Sequence, residues 1–279
     1  MPNINGPIGV FDSGIGGLTV VKELRRQMPQ ENILYLGDTA RMPYGCKTIP
    51  EIIEFMHEIL TFMRHRGVKI AVFACNTMTA HGYRLAVGQY PFPLVGMDKG
   101  MAEALLRSSA KKIGVMATQA TILSGSHKAA LAELSPEAEI YPTPCPRFVP
   151  LIEAGHIDDE VIEEAVREVA LPMQKAGVDA LVLGCTHYPY IAGVIHRVLG
   201  DGVALVDPAE ATAREAKRVL EENGLLKQDG IGHAELCFTA NLAKSEELAR
   251  LAIDDANVTF KQIQLPPRAS TMAKEKAEG

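Results

Sequence analysis

Short apolar runs alternate with longer amphipathic stretches along the chain, and this alternation predicts an α/β protein with mostly parallel strands. Strands are expected at Ile8–Phe11, Ile33–Leu36, Ile70–Ala74, Leu94–Met97, Ile113–Met116, Glu139–Pro142, Ala180–Leu183 and Ala204–Val206, with two late ones at Ala234–Phe238 and Val258–Ile263. Helical periodicity fills Leu18–Met28, Ile49–Arg66, Met101–Ser108, Asp159–Ala176 and Glu210–Asn223. The last of these follows Asp207-Pro208, where proline suits a first helical turn.

The pattern also repeats. Gly67-Val-Lys-Ile-Ala-Val-Phe-Ala-Cys75 lies over Gly177-Val-Asp-Ala-Leu-Val-Leu-Gly-Cys185 at an offset of 110 residues, and Ile8-Gly-Val-Phe-Asp-Ser13 over Ile113-Gly-Val-Met-Ala-Thr118 at 105. Weaker matches keep the same order: Ile33-Leu-Tyr35 with Glu139-Ile-Tyr141, and Leu94-Val-Gly96 with Leu205-Val-Asp207. Matched strands in one order predict two pseudo-symmetric α/β units. Functional loops of such units gather at the C-terminal ends of the strands. Those ends carry Asp12-Ser13, Asp38, Cys75-Asn76-Thr77, Thr118, Cys145 and Cys185-Thr186-His187. If the units face each other, Cys75 and Cys185 approach one cleft from opposite sides.

Opposed thiols suit a reaction that removes a proton from one face of a carbon and delivers one to the other. One group acts as thiolate and the other as thiol, and the roles exchange with the hand of the substrate. A free thiol titrates near 8.5, so each needs assistance. A cysteine that ends a strand and opens a helix gains it from the helix dipole. His187 can polarise Cys185, and Asp12 can accept or relay a proton beside Cys75. The other cysteines read differently: Cys46 and Cys237 as structural or incidental, and Cys145, between two prolines, as ambiguous. Asp12-Ser-Gly-Ile-Gly-Gly17 offers backbone amides for an anion, either a phosphate or a substrate carboxylate. It has neither the Walker lysine nor dinucleotide-fingerprint spacing. Cys185-Thr-His187 lacks a second cluster to complete a zinc site, so no metal is expected. The remaining histidines, His127 among them, have no motif around them and default to core or surface roles.

The bulk numbers narrow the class further. With a net charge of −6 over 279 residues, a nucleic-acid or anionic-membrane partner is disfavoured. No apolar run approaches the roughly 20 residues of a membrane span, and the N-terminus lacks the basic start of a secretion signal. Five widely spaced cysteines fit free thiols in a reducing cytoplasm better than a disulfide framework.

The motifs Val10-Phe-Asp-Ser-Gly-Ile-Gly-Gly17, Gly37-Asp-Thr-Ala-Arg-Met-Pro-Tyr-Gly45, Ala74-Cys-Asn-Thr77, Ala117-Thr-Gln-Ala-Thr121, Cys145-Pro with Phe148-Val-Pro150, and Leu183-Gly-Cys-Thr-His-Tyr-Pro189 resemble those of the bacterial glutamate racemase family, in order from about residue 8 to residue 216. The resemblance implies two α/β domains with the active site in the cleft between them, and neither pyridoxal phosphate nor metal. The first domain is expected over residues 1–98 plus 208–265, the second over 99–207, and a mobile tail over 266–279. By resemblance, Cys75 takes the proton from D-glutamate and Cys185 from L-glutamate, with Asp12 and His187 assisting. Substrate binding falls to Asp12-Ser13, Pro43-Tyr44-Gly45, Asn76-Thr77 and Thr186-His187, with Thr118 and Thr121 around the carboxylates. The family further implies a cytoplasmic homodimer that supplies D-glutamate for peptidoglycan. Related racemases act on aspartate or hydantoins, and a ligand-binding protein that has lost catalysis is a further alternative. Gly96-Met-Asp-Lys-Gly100 departs from the usual Glu-Pro-Gly stretch at the domain junction, Pro208 stands where serine is frequent, and Cys46 follows Tyr44-Gly45 where other residues are usual.

Overall fold

The computed structural model describes residues 2–253 and 256–265, so the expected tail at 266–279 lies outside the described residues. Its strands are β1 (Ile8–Asp12), β2 (Ile33–Gly37), β3 (Ile70–Phe73), β4 (Leu94–Val95), β5 (Lys112–Ala117), β6 (Glu139–Pro144), β7 (Ala180–Gly184), β8 (Ala204–Val206), β9 (Ala234–Phe238) and β10 (Val258–Gln262). Its helices are α1 (Leu18–Gln27), α2 (Ile49–His65), α3 (Asn76–Ala86), α4 (Met101–Arg107), α5 (Gln119–Leu123), α6 (Ser126–Leu134), α7 (Phe148–Ala154), α8 (Glu160–Lys175), α9 (Ala192–Leu199), α10 (Ala209–Glu222) and α11 (Leu242–Ala252).

Two sheets form, ordered β10-β9-β2-β1-β3-β4 and β6-β5-β7-β8, and every ladder in them is parallel. The central strands β1, β2, β3 and β7 are buried throughout, which is why they read as continuous apolar runs without alternation. Edge strands β6 and β10 are partly exposed and correspondingly more polar. The order β2-β1-β3-β4 recurs as β6-β5-β7-β8, as the repeat predicts. Ile8 sits opposite Ile70 in one sheet, and the matching Ile113 sits opposite Ala180 in the other.

One repeat match is corrected. Ile8 pairs with Ile33 and Ile113 with Ile140, so Ile33 corresponds to Ile140 and not to Glu139. Aligning Tyr35 with Tyr141 put the match one residue out, and one residue along a strand reverses the face a side chain occupies. Most helix ends fall one residue inside the predicted limits because capping residues look helical in sequence. Asp159, predicted as helical, is the N-cap of α8 and accepts the Ile162 N–H. The strand predicted over Leu94–Met97 stops at Val95, where Met97 turns to bond Thr79 Oγ1.

Three buried clusters layer the molecule. One lies on the α2 face of the first sheet and one on the α4 and α6 face of the second, while the largest runs continuously between the two sheets. Beneath β3, Lys69 is fully buried with Glu31, its Nζ 2.6 Å from Oε2. Lys69 also donates to the carbonyls of Ile4 and Leu225, both at 2.8 Å, and Glu31 accepts the Lys227 N–H. Four chain segments thus meet at the base of the strand that carries Cys75. Lys69→Met is expected to lower stability by about 3–5 kcal/mol because it strands a buried carboxylate. Lys69→Met with Glu31→Leu should recover most of that loss in urea denaturation. Equal midpoints for single and double variants would refute the account.

Candidate active site

Cys75 follows β3 as the N-cap of α3, and Cys185 follows β7, the strand equivalent to β3 in the other sheet. Both thiols are buried and line one small cavity of about 10 Å³ between the sheets. Asp12 and Ser13 reach this cavity from the end of β1, and Pro43, Tyr44 and Gly45 from the loop after β2. Asn76 and Thr77 enter from α3, Thr118 from the end of β5, and Thr186 and His187 from the end of β7. Every predicted site residue except Thr121 therefore borders the cavity. Thr121 stands just behind Thr118, which caps α5 by accepting the Thr121 N–H. Its hydroxyl supports Thr118 at 3.0 Å and Thr77 at 3.2 Å, while Thr77 and Thr118 meet across the cleft at 2.8 Å.

Three supporting groups surround the predicted set, and of these sequence reasoning singled out only Asp38, at a strand end. Val149 of α7 completes the lining. Asp38 lies behind the cavity, where it accepts the Tyr44 hydroxyl, the Arg41 guanidinium at 2.6 Å and the Thr239 hydroxyl at 2.9 Å. Arg41 also bonds Glu58 and lies over the Phe55 ring, so the loop bearing Pro43-Tyr44-Gly45 is pinned to α2. Glu153 of α7 is the third and bears most directly on the chemistry. Its Oε1 lies 2.8 Å from His187 Nε2 and accepts the Ile15 N–H at 3.1 Å. An acidic residue on an amphipathic helix looks solvent-facing in sequence, so no local signal marks it.

The glycine loop offers fewer amides to an anion than its sequence suggests. Asp12 Oδ1 accepts the Ser13 N–H at 2.7 Å and Oδ2 the Gly17 N–H at 2.6 Å, while Glu153 holds the Ile15 N–H. The amides of Ser13, Ile15 and Gly17 are thus committed to the protein's own carboxylates. They fix Asp12, which also receives the Thr186 hydroxyl from across the cleft at 3.0 Å.

The two thiols sit in unlike surroundings. At Cys75, burial and then the Asp12 carboxylate push the thiol well above its ordinary range, and the Met78 N–H at the start of α3 only partly opposes them. The helix dipole therefore acts at Cys75 but does not prevail there. Burial likewise raises Asp12, against the charge of His187 and the hydrogen bonds from Ser13, Cys75 and Thr186. At Cys185 no α-helix opens; a 3₁₀ turn over Tyr188–Ile191 follows, so the dipole expected there is replaced by an imidazole. His187 Nδ1 lies 3.9 Å from Cys185 Sγ. Burial opposes a charge on His187, but Cys185 on one ring nitrogen and Glu153 on the other outweigh it and raise the imidazole well above its ordinary value. With Cys185 as thiolate both ring nitrogens face acceptors, which only an imidazolium satisfies, whereas a Cys185 thiol can donate to Nδ1 of a neutral ring that gives its Nε2–H to Glu153.

The remaining cysteines stay outside the cavity. Cys145 is a core thiol pushed up to about 12 by burial and then by Cys185, and its carbonyl accepts the Tyr188 hydroxyl. Cys237 is buried in β9 and pushed up to about 11, chiefly by burial, whereas Cys46 is exposed.

A pair of matched parallel sheets that brings one thiol each to a shared cavity is the frame of an isomerase able to reach both faces of a small molecule. The chain belongs to the Asp/Glu/Hydantoin racemase family, whose model matches residues 8–216, and it is a racemase. It is 45% identical to the glutamate racemase of Picosynechococcus sp. over 218 residues, 78% of each chain. The crystal structure of a Bacillus anthracis glutamate racemase superposes with a TM-score of 0.88 at 32% identity, covering 94% of this chain and 99% of that one. Glutamate racemase from Francisella tularensis, solved in complex with D-glutamate, superposes with a TM-score of 0.85 at 32% identity, over 96% of this chain and all of that one.

Proposed function

We propose that this racemase interconverts L- and D-glutamate by proton transfer between its two thiols, without a cofactor. The observation that carries the reading is the placement of Cys75 and Cys185 at equivalent ends of β3 and β7, both facing one cavity. From L-glutamate, the Cys185 thiolate removes the α-proton and the Cys75 thiol delivers its own to the opposite face. The pair is left with its protonation exchanged, ready for D-glutamate. The imidazolium of His187 is the partner a thiolate at Cys185 needs, and the Asp12 carboxylate keeps Cys75 protonated until it donates. Ser13, Asn76, Thr77, Thr118 and Thr186 supply hydroxyl and amide groups for the substrate's two carboxylates, under the roof of Pro43, Tyr44 and Gly45. A cavity of about 10 Å³ holds about one water, so glutamate enters by separation of the two lobes. We assign those lobes to residues 1–98 plus 208–265 and to residues 99–207. No helix among the described residues is long and apolar enough to cross a membrane. The reading extends to a cytoplasmic homodimer whose D-glutamate enters peptidoglycan synthesis.

Incubation of the purified protein with single L-amino acids in deuterated water tests the substrate. Loss of the α-proton signal from glutamate, with the D-enantiomer appearing, is the expected result. Exchange with aspartate and none with glutamate would overturn the assignment.

Glu153 is read as a positioning residue for His187. Glu153→Gln is expected to lower kcat/KM about 10- to 100-fold, the scale of one hydrogen bond to a charged group. The raised value of His187 stabilises the fold fully below the ordinary imidazole value of about 6.5, and that part is lost as pH rises through the raised one. Glu153→Gln should flatten this part of the pH–stability profile and lower the His187 titration midpoint seen by NMR. An unchanged midpoint would remove Glu153 from the mechanism.

A further inference from the structure

Ile15 lies in the loop between β1 and α1, and both of its backbone groups are held from the opposite side of the cleft. The Glu153 carboxylate of α7 takes its N–H at 3.1 Å, and the Tyr190 hydroxyl donates to its carbonyl at 3.3 Å. The neighbouring backbone groups are held from their own side. Asp12 takes the Gly17 N–H at 2.6 Å, and the Tyr35 hydroxyl of β2 donates to the Gly14 carbonyl at 2.6 Å. One short loop therefore carries two bonds that stay with the first sheet and two that reach across the cleft.

Tyr190 belongs to the 3₁₀ turn over Tyr188–Ile191 that follows β7. It comes directly after the Leu183–Pro189 motif, outside the positions that carry the family resemblance. The turn ties it closely to the chemistry. Its N–H bonds the His187 carbonyl at 3.2 Å, and the Tyr188 N–H bonds the Cys185 carbonyl at 3.0 Å. A pull on the Tyr190 side chain is thus passed to His187 and Cys185 through the backbone of one turn.

The two tyrosines of this turn differ in what holds them. Tyr188 is fully buried, and its hydroxyl is occupied by the Cys145 carbonyl beside it. The Tyr190 ring is half-buried and borders a cavity of about 370 Å³. That cavity separates Lys22 and Glu23 of α1 and Leu251 of α11 from Ile157, Pro189 and Tyr190. Open space on one flank means that packing alone does not fix the ring there, since a gap forfeits contact on that side. The hydroxyl bond to Ile15 crosses between the two halves where they stand apart. Burial, and then the charges of Glu153 and Asp12, raise this hydroxyl well above its ordinary value, so it stays protonated as a donor.

We propose that Tyr190 is a closure latch, a positioning residue whose bond to the Ile15 carbonyl holds the cleft shut over substrate and seats His187 and Cys185 against Asp12. It does not border the catalytic cavity, so it acts through its turn and not on the reacting atoms. This role rests on the reading of residues 1–98 plus 208–265 and 99–207 as two lobes that part to admit glutamate. When they part, Ile15 loses Glu153 and Tyr190 together, while Gly14 and Gly17 keep their partners. Closure is then written in two amides of one loop, Ile15 across the cleft and Gly17 within its own lobe.

Amide hydrogen exchange of the full chain, read residue by residue with and without saturating glutamate, tests the latch alongside steady-state kinetics. The variant is Tyr190→Phe, which removes the hydroxyl and keeps the ring. In the wild type, glutamate should slow exchange at Ile15 by about tenfold or more and leave Gly17 within about twofold. In Tyr190→Phe with glutamate, Ile15 should exchange about 3- to 10-fold faster than in the wild type, the scale of one neutral hydrogen bond, with Gly17 unmoved. The value of kcat/KM should fall by a similar factor in both directions. If glutamate leaves Ile15 and Gly17 alike in the wild type, the two-lobe closure itself is wrong. Protection of Ile15 by glutamate that survives unaltered in Tyr190→Phe would leave closure standing and overturn the latch. Equal acceleration at both amides would also overturn it, because Tyr190 would then support the loop as a whole.

Discussion

Cys75→Ser and Cys185→Ser should each lower kcat/KM for racemisation by about 10²- to 10⁴-fold, the range for loss of a positioned acid–base group. Enantiomers have equal free energy, so the loss must be the same in both directions, and rates alone cannot tell the thiols apart. Isotope exchange can. Cys185→Ser retains Cys75, which removes the α-proton of D-glutamate and returns a solvent deuteron to the same face. D-glutamate should therefore gain deuterium without inverting, while L-glutamate stays inert. Cys75→Ser should show the mirror pattern, with deuterium entering L-glutamate alone. The unlike surroundings sharpen the contrast. Cys75 is pushed up by burial and then by Asp12, so exchange through it should keep rising with pH past the ordinary thiol range. Racemisation by Cys75→Ser near the wild-type rate would end the two-thiol scheme, and reversed labelling would swap the two assignments.

The frame of this site was legible in the chain, and its cross-lobe contacts were not. Strands such as Ala180–Gly184 are buried on both faces and stand out as apolar runs, and the 110-residue spacing of Cys75 and Cys185 follows from the repeated sheet order. Those signals are local, or repeat in register. Glu153 meets Ile15 across 138 residues of sequence, and nothing in the surrounding helix distinguishes it from a solvent-facing acid. Thr121 shows the converse. Its place in the Ala117-Thr-Gln-Ala-Thr121 motif suggested substrate contact, and the cap on α5 turned it into a support for Thr118. The glycine loop is a related case: a sequence displays free amides, and only the fold reveals that Asp12 and Glu153 have claimed those of Ser13, Ile15 and Gly17.

That loop carries the other large effect. Gly16 has no positive φ, so its backbone conformation alone would admit alanine. What forbids a side chain is the opposite lobe: a Cβ at Gly16 would sit 2.6 Å from Thr186 Oγ1 and would overlap His187 Nδ1. At Gly14 the obstacle is the Glu153 carboxylate. In the proposed closure the glycines are the contact surface for the second lobe, and they set how near the His187–Cys185 pair comes to Asp12. Gly16→Ala should hold the lobes apart by a fraction of an ångström to about 1 Å. Misplacement on that scale costs about 10²-fold in rate, and the loss should appear mainly in kcat, because an open cleft still admits substrate. Gly67→Ala is the matched comparison. Gly67 lies at φ +66° with nothing within 4 Å of its Cβ position, so alanine there meets backbone strain alone. It should lower stability by about 1–2 kcal/mol and leave kcat unchanged, whereas Gly16→Ala should lower kcat with a smaller change in the urea midpoint. If Gly16→Ala kept kcat within twofold of wild type, closure against this loop would not be what aligns the thiols, and the glycines would have to be explained by folding alone.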